Sequence, residues 1–246
     1  MRYDHMRPSQ IADAIVRNLP VVLPLGVMEY HGEHLPAGVD LLIVTETLAR
    51  LEASSDIVLL PPFAYGAASH AVAGSGSGTL HIDTAALVPF AEQLFGALLD
   101  TGLRNLYGII HHQTENFAQG MPTDLAFRLA ARNATFKYLE STRGPGWWGA
   151  RAMQDYYALQ DAASDPFNWI QIHPLFPKGA DFPFDHAGIG ETALMMALAP
   201  NSVDLTQVNS GGHWYTETAV HATAALGEAG VRIALSHLQE LLGLQS

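Results

Sequence analysis

Apolar residues along this chain gather in two kinds of segment: short runs of four or five, and longer stretches where they recur at helical spacing. Ser9 opens a weakly amphipathic segment, residues 10–18, which Pro20 ends before the run Val21, Val22, Leu23, predicting a helix and then a strand. Gly26 breaks that strand, and a loop rich in His and Glu follows to Val39. Asp40 is then placed to N-cap a helix carrying Leu41, Leu42, Val44 and Leu48. The unit repeats: a strand over 57–60 closed by Pro61-Pro62, and a glycine-rich loop over 65–80. A helix capped by Asp83 or Thr84 runs through Leu99 to Gly102, and a strand over 106–110 leads into His111-His112. A helix over 117–132 and a fourth strand over 134–139 complete the alternation, and from Glu191 onward the chain reads as mostly helical.

Strands alternating with helices of a dozen residues predict an α/β fold with a parallel sheet covered on both faces. In such folds the ligand crevice lies beyond the carboxyl ends of the strands. The polar loops 29–40, 65–80 and 111–116 all follow strands and are expected to meet there. Residues 144–185, rich in Trp, Pro, Phe and Gly, read as a long ordered excursion over the same edge. No linker divides the chain, so one domain over residues 1–246 is expected.

Composition narrows the function classes. Hydrophobic residues make up 48% and charged residues 15%, which excludes intrinsic disorder and leaves enough apolar surface for one large core. The net charge of −12 repels phosphate backbones and anionic bilayers, so nucleic acid and membrane are excluded as partners. Cysteine is absent, which removes disulfides, thiolate metal sites and cysteine nucleophiles. The opening MRYDHMRPSQ has no apolar signal core, and no apolar run approaches the ~20 residues of a membrane span, so a cytoplasmic protein is expected. Twelve histidines, as many as Lys and Arg together, leave imidazole and carboxylate as the means of chemistry.

Those groups concentrate in three places. Glu29-Tyr30-His31-Gly32-Glu33-His34 with Asp40 sets imidazoles and carboxylates within twelve residues at a strand end, a mixture that suits zinc or manganese. Glu29 and His31 are two apart and project to the same side of an extended loop. His111-His112-Gln113-Thr114-Glu115-Asn116 forms the second patch. Adjacent histidines on an extended backbone point opposite ways, so one of the pair is expected to face the site and the other to be structural. Asp185-His186-Ala187-Gly188, leading through Gly190-Glu191-Thr192 into an apolar helix, forms the third.

Leu23-Pro24-Leu25-Gly26, then Glu29-x-His31-Gly32-x-His34-Leu35-Pro36 and Asp40, resembles the signature of the creatininase (creatinine amidohydrolase) family. Later motifs keep the family order: Leu60-Pro61-Pro62, Tyr65-Gly66 with His70, Gly78-Thr79-Leu80, a His near an Asn after the third strand, and His186-Ala187-Gly188 with Glu191-Thr192. The resemblance spans residues 23–204. It implies a three-layer α/β/α fold with a mainly parallel sheet, assembled as a homo-oligomer, often a hexamer. It also implies hydrolysis of a small cyclic amide or related C–N bond by water activated between two divalent ions, zinc or manganese, with iron as an alternative. Carried over by position, Glu29 binds one metal, His31 the other, and Asp40 bridges them. His112, or Gln113 if the loop has no insertion, supplies the third-strand ligand, and His112 is preferred because imidazole is the better donor. Glu115 resembles the second-metal carboxylate and His186 the catalytic histidine, placed to protonate the departing nitrogen. Trp147 and Trp148 are expected as an apolar wall over a flat ring, unless they are core residues, and Tyr30 and His70 as further substrate contacts. His34 is read as bracing the loop. A deformylase-like hydrolase of a formamide and a non-catalytic metal- or ligand-binding relative are the alternatives.

Overall fold

The computed structural model describes residues 1–159 and 165–244. Helix α1, Pro8–Val16, starts with proline at its first position, where a missing N–H is harmless, and leads into strand β1, Val21–Leu25. Helix α2, Val39–Glu52, strand β2, Val58–Leu59, helix α3, Thr84–Thr101, and strand β3, Leu106–Ile110, follow in alternation. Helix α4, Pro122–Arg143, the single turn α5, Tyr156–Leu159, strand β4, Ile170–Pro174, and helices α6, Ile189–Leu198, and α7, Ala224–Leu241, complete the chain. Asp83 caps α3 by accepting from the Ala85 N–H, and Gly102 ends that helix in the left-handed region at φ 105°.

Among the described residues four strands lie in the order β2-β1-β3-β4, and their pairings are parallel. All five residues of β1 and of β3 are buried, so their sequences read as continuous apolar runs. Their side chains still alternate between faces. Val21, Leu23 and Leu25 pack with Ala14 of α1, Phe95 and Leu99 of α3 and Phe127 of α4, whereas Val22 and Ile109 pack with Ile43 and Leu48 of α2, Leu194 of α6 and Leu238 of α7. The result is the three-layer α/β/α arrangement. At its centre Gly108 lets the strands close up, since a Cβ there would lie 2.7 Å from Ile172 Cδ1. Among the described residues no helix is long and apolar enough to cross a membrane.

The fourth strand is not where the pattern predicts it. Residues 134–139 continue α4, because no Gly or Pro interrupts the stretch before Gly144 and the buried Ala130, Ala131 and Ala134 share a helical face with the partly buried Tyr138. The edge strand β4 instead lies in the segment read as an excursion, with Ile170 and Ile172 buried and Gln171 and His173 only partly so. Residues 160–164 of that segment lie outside the described residues. The helix expected from residue 117 begins at Pro122, and α2 is capped at Gly38, which frees Asp40 for another role.

His173 on β4 is predicted to make stability depend on pH. Its Nε2 lies 3.0 Å from Gln171 Oε1. Burial, and then the positive charge of Arg128 and His237, pushes its pKa down to about 4. The unfolded chain therefore binds this proton first as pH falls through ~6.5, and stability drops from there until the folded pKa is reached. Between pH 7 and pH 5 the wild type is expected to lose about 2 kcal/mol more than His173→Gln in urea unfolding. Equal losses in the two proteins refute this.

Candidate metal centre and active site

The loop after β1 carries Glu29 and His31 to the carboxyl edge of the sheet. It is anchored by the Glu29 N–H on Ala37 O at 2.9 Å and by the Tyr30 N–H on Thr79 Oγ1 at 3.0 Å. Gly32 adopts φ 76°, and a side chain there would meet His34 Nδ1 at 2.9 Å. His31 Nδ1 lies 2.9 Å from the Glu29 backbone carbonyl, which can only accept, so Nδ1 carries the proton. The lone pair of Nε2 then points inward, 3.5 Å from Asp40 Oδ2 and 3.4 Å from Glu191 Oε2. Asp40, the second residue of α2, is fully buried and turned toward these imidazoles.

Beyond β3 the adjacent histidines diverge. His112 Nδ1 lies 3.5 Å from Glu29 Oε2 and 3.6 Å from Asp40 Oδ1. His111 lies between two carboxylates instead, with Nδ1 3.0 Å from Glu115 Oε1 and Nε2 3.3 Å from Glu191 Oε1. Burial alone would lower the His111 pKa, but Glu115 and Glu191 hold it well above the usual histidine range, and the ring braces both carboxylates.

Between β4 and α6 the chain is locked in one conformation. The Asp185 carboxylate accepts from the N–H groups of Gly188, Gly190 and Glu191 and thereby caps α6. A Cβ at Gly190 would lie 1.8 Å from Pro183 O. Glu191 turns back to accept from the Ala187 N–H at 2.7 Å. His186 Nε2 donates to the Tyr30 carbonyl at 2.9 Å, its Nδ1 faces Glu29 Oε2 at 3.9 Å, and its ring stacks on His31 at 4.3 Å. His34 braces the same corner, with Nε2 3.0 Å from Thr192 Oγ1.

These residues fall into overlapping groups whose ligand atoms all lie within 4.8 Å of one another: Glu29, Asp40 and His112; His31, Asp40 and Glu191; and Glu29, His31 and His186. Asp40 is common to the first two. Glu29 Oε2, His31 Nε2, Asp40 Oδ2 and His112 Nδ1 are buried with no hydrogen-bond partner among the described residues. Burial pushes the Glu29 carboxyl up to about 7. Burial opposes ionisation of Asp40 and Glu191 as well, yet His31 and the neighbouring imidazoles hold both below the usual carboxylate range. Such a set of carboxylates and inward-facing nitrogens fits divalent cations.

Several expected residues are placed differently. Glu115 joins none of these groups among the described residues, because its carboxylate is taken by His111 and Thr114. Glu191 stands where Glu115 was expected. Trp147 and Trp148 line a separate cavity of about 380 Å³ with Tyr156 and Phe167, away from the cluster. The Tyr30 phenol is turned to Glu33 Oε1 at 2.8 Å, and His70 is exposed beside His81. The cleft that opens on His186, about 720 Å³, is lined by Ala71, Val72, Gln113, Phe184, Trp214 and Tyr215 among others. Glu191 belongs to the third family motif in the sequence, with His186-Ala187-Gly188, but nothing there marks it as a ligand. Nothing in the sequence pointed to Tyr215.

Comparison with known proteins places the chain in a family. A model of the family described as "Creatininase: Creatinine amidohydrolase" matches residues 4–242. A creatinine amidohydrolase of Pseudomonas putida is 29% identical over 196 residues, covering 76% of this chain and 67% of that protein. Among solved structures, a tryptophan-to-phenylalanine mutant creatininase superimposes with TM-score 0.74 at 19% identity, covering 98% of this chain and 97% of its own. A putative creatinine amidohydrolase from Bacteroides fragilis gives 0.66 at 18%, covering 98% and 94%. With nearly the whole chain matched and the motif residues meeting at one sheet edge, this protein belongs to the creatininase family, hydrolases of carbon–nitrogen bonds other than peptide bonds.

Proposed function

We propose that this chain is a metal-dependent amidohydrolase that opens a C–N bond of a cyclic amide or related small molecule. Two divalent ions, zinc or manganese, are held by Glu29, Asp40 and His112 and by His31, Asp40 and Glu191. The observation that carries this reading is the convergence of four buried polar atoms without hydrogen-bond partners, on Glu29, His31, Asp40 and His112. Leaving one such atom unpaired costs about 1–3 kcal/mol, so a cluster of them is consistent with a place built for cations. Solved creatininases at 17–19% identity include a manganese form, a Zn-Zn form and a mutant complexed with creatine, the ring-opened form of a cyclic amide, which supports the choice of ions and of a small nitrogen-rich ligand.

A bound ion pair supplies an acidified water and polarises the carbonyl. The chain's own residues do the rest. Asp40 offers one oxygen to each group. His31 and His186 are held in fixed tautomers by backbone carbonyls, and the cleft beside His186 admits the substrate. His186 Nδ1, bare in that tautomer, is the atom placed to take the proton released by the attacking water and pass it to the departing nitrogen.

Metal analysis of the purified protein tests this, with hydrolysis of creatinine, hydantoins and formamides measured before and after chelation. Two equivalents per chain and chelator-sensitive turnover are expected, and turnover that survives complete stripping refutes the proposal. Glu191→Gln is expected to lose one equivalent, whereas Glu115→Gln keeps both and weakens affinity about 10–100-fold through loss of the His111 brace. The reverse order restores Glu115 as the ligand.

A further inference from the structure

The turn Trp214–His221 brings a phenol to the edge of the cluster that the family motifs do not include. The ring of Tyr215 meets His186 edge-on, 5.2 Å between centroids, and lies parallel to His213 at 5.0 Å and 10°. Two flat faces thus fix its orientation without using its hydroxyl. Tyr215 lines the cleft that opens on His186. Its Oη is buried and has no hydrogen-bond partner among the described residues, unlike Tyr30, whose phenol is satisfied by Glu33. A buried hydroxyl normally finds an acceptor. A phenol keeps its proton at neutral pH, so this hydroxyl is available as a donor.

We propose that Tyr215 is a catalytic residue whose Oη donates a hydrogen bond to the substrate's acyl oxygen as that oxygen gains negative charge. This rests on the amidohydrolase reading of the neighbouring cluster. No bond to the phenol breaks: its proton is shared with the oxygen while the tetrahedral carbon exists and stays on Oη when the carbonyl re-forms. A donor aimed at developing charge acts on kcat more than on KM. Tyr215 and His186 share one wall, so the acyl oxygen and the departing nitrogen of one carbon are served from the same side of the cleft.

Tyr215→Phe tests the hydroxyl alone, because the ring that packs on His186 and His213 is retained. We expect unchanged metal content, KM within about twofold, and kcat lower by about 10–100-fold on whichever of creatinine, hydantoin or an aryl formamide the wild type hydrolyses. Acetohydroxamate, which presents a carbonyl and an anionic oxygen, is expected to bind the manganese-loaded variant about tenfold more weakly by calorimetry. An unchanged kcat overturns the proposal. So does a rise in KM alone, which marks a ground-state contact, and so does loss of metal, which marks a structural role. A wild type that binds two ions but hydrolyses none of the probes overturns the amidohydrolase reading and this inference with it. Wild-type turnover matched by the variant overturns Tyr215 alone.

Discussion

Asp40→Ala is expected to release both ions, whereas Glu29→Gln and Glu191→Gln release one each. The reason is geometric: Oδ1 lies 3.6 Å from His112 Nδ1 and Oδ2 lies 3.5 Å from His31 Nε2, so one carboxylate closes both groups. It is also electrostatic. Asp40 is fully buried with its carboxyl held below the usual carboxylate range, which makes it the negative charge that offsets the repulsion of two neighbouring cations. Loss of an outer hydrogen-bonding partner already weakens metal affinity about 10–100-fold, and loss of a shared ligand must exceed that at both positions. Hydrolysis is expected to fall on the order of 10³-fold or more, since several kcal/mol of charge stabilisation leave with the ions. Asp40→Asn keeps the shape without the charge and is expected to fall between wild type and alanine. Metal analysis by mass spectrometry settles the order, and full occupancy in Asp40→Ala removes the bridging role.

The parts of this protein that were legible in its sequence are those in which neighbours in the chain are neighbours in the site. Glu29-x-His31 and Asp40 sit on one loop and the helix it enters, so their spacing alone placed them together. The strands β1 and β3 are unbroken apolar runs bounded by polar loops, which is what burial on both faces requires. Strand β4 was hidden because its five residues, Ile-Gln-Ile-His-Pro, alternate only twice and lie among aromatics and prolines. Ala134, Thr135 and Phe136 carry the opposite ambiguity: a short mixed run fits a strand or the end of a long helix, and only packing of α4 against α3 decides. Glu115 is expected from its likeness to the family's second-metal carboxylate, yet the fold turns it to His111 and brings Glu191 in from α6. Tyr215 depends wholly on the seating of the turn Trp214–His221 against α6, a tertiary contact with no local signal.

His186→Ala is expected to keep both ions and to lose about 10²–10⁴-fold in rate, the usual contribution of a positioned general acid. The alternative is that His186 is a ligand, since its ring nitrogen lies close enough to Glu29 and His31 to complete a third group. Two features favour the proton donor. His31 and His186 stack face to face at 4.3 Å, so the ring runs alongside the His31 imidazole rather than end-on to the point where Asp40 and Glu191 converge. Nε2 is committed to the Tyr30 carbonyl, which leaves Nδ1 near the cleft as the atom able to exchange a proton. The backbone that carries it is fixed by the Asp185 cap and by Ala187 at φ 54°, so the ring keeps one orientation through the reaction. A general acid matters most when the departing nitrogen is strongly basic, so the loss in His186→Ala is expected to shrink for anilide-like or ureide leaving groups. Metal content and rate measured on the same preparation separate the cases: lost metal makes His186 a ligand, an undiminished rate makes it a helix-start residue, and retained metal with a leaving-group-dependent loss makes it the acid.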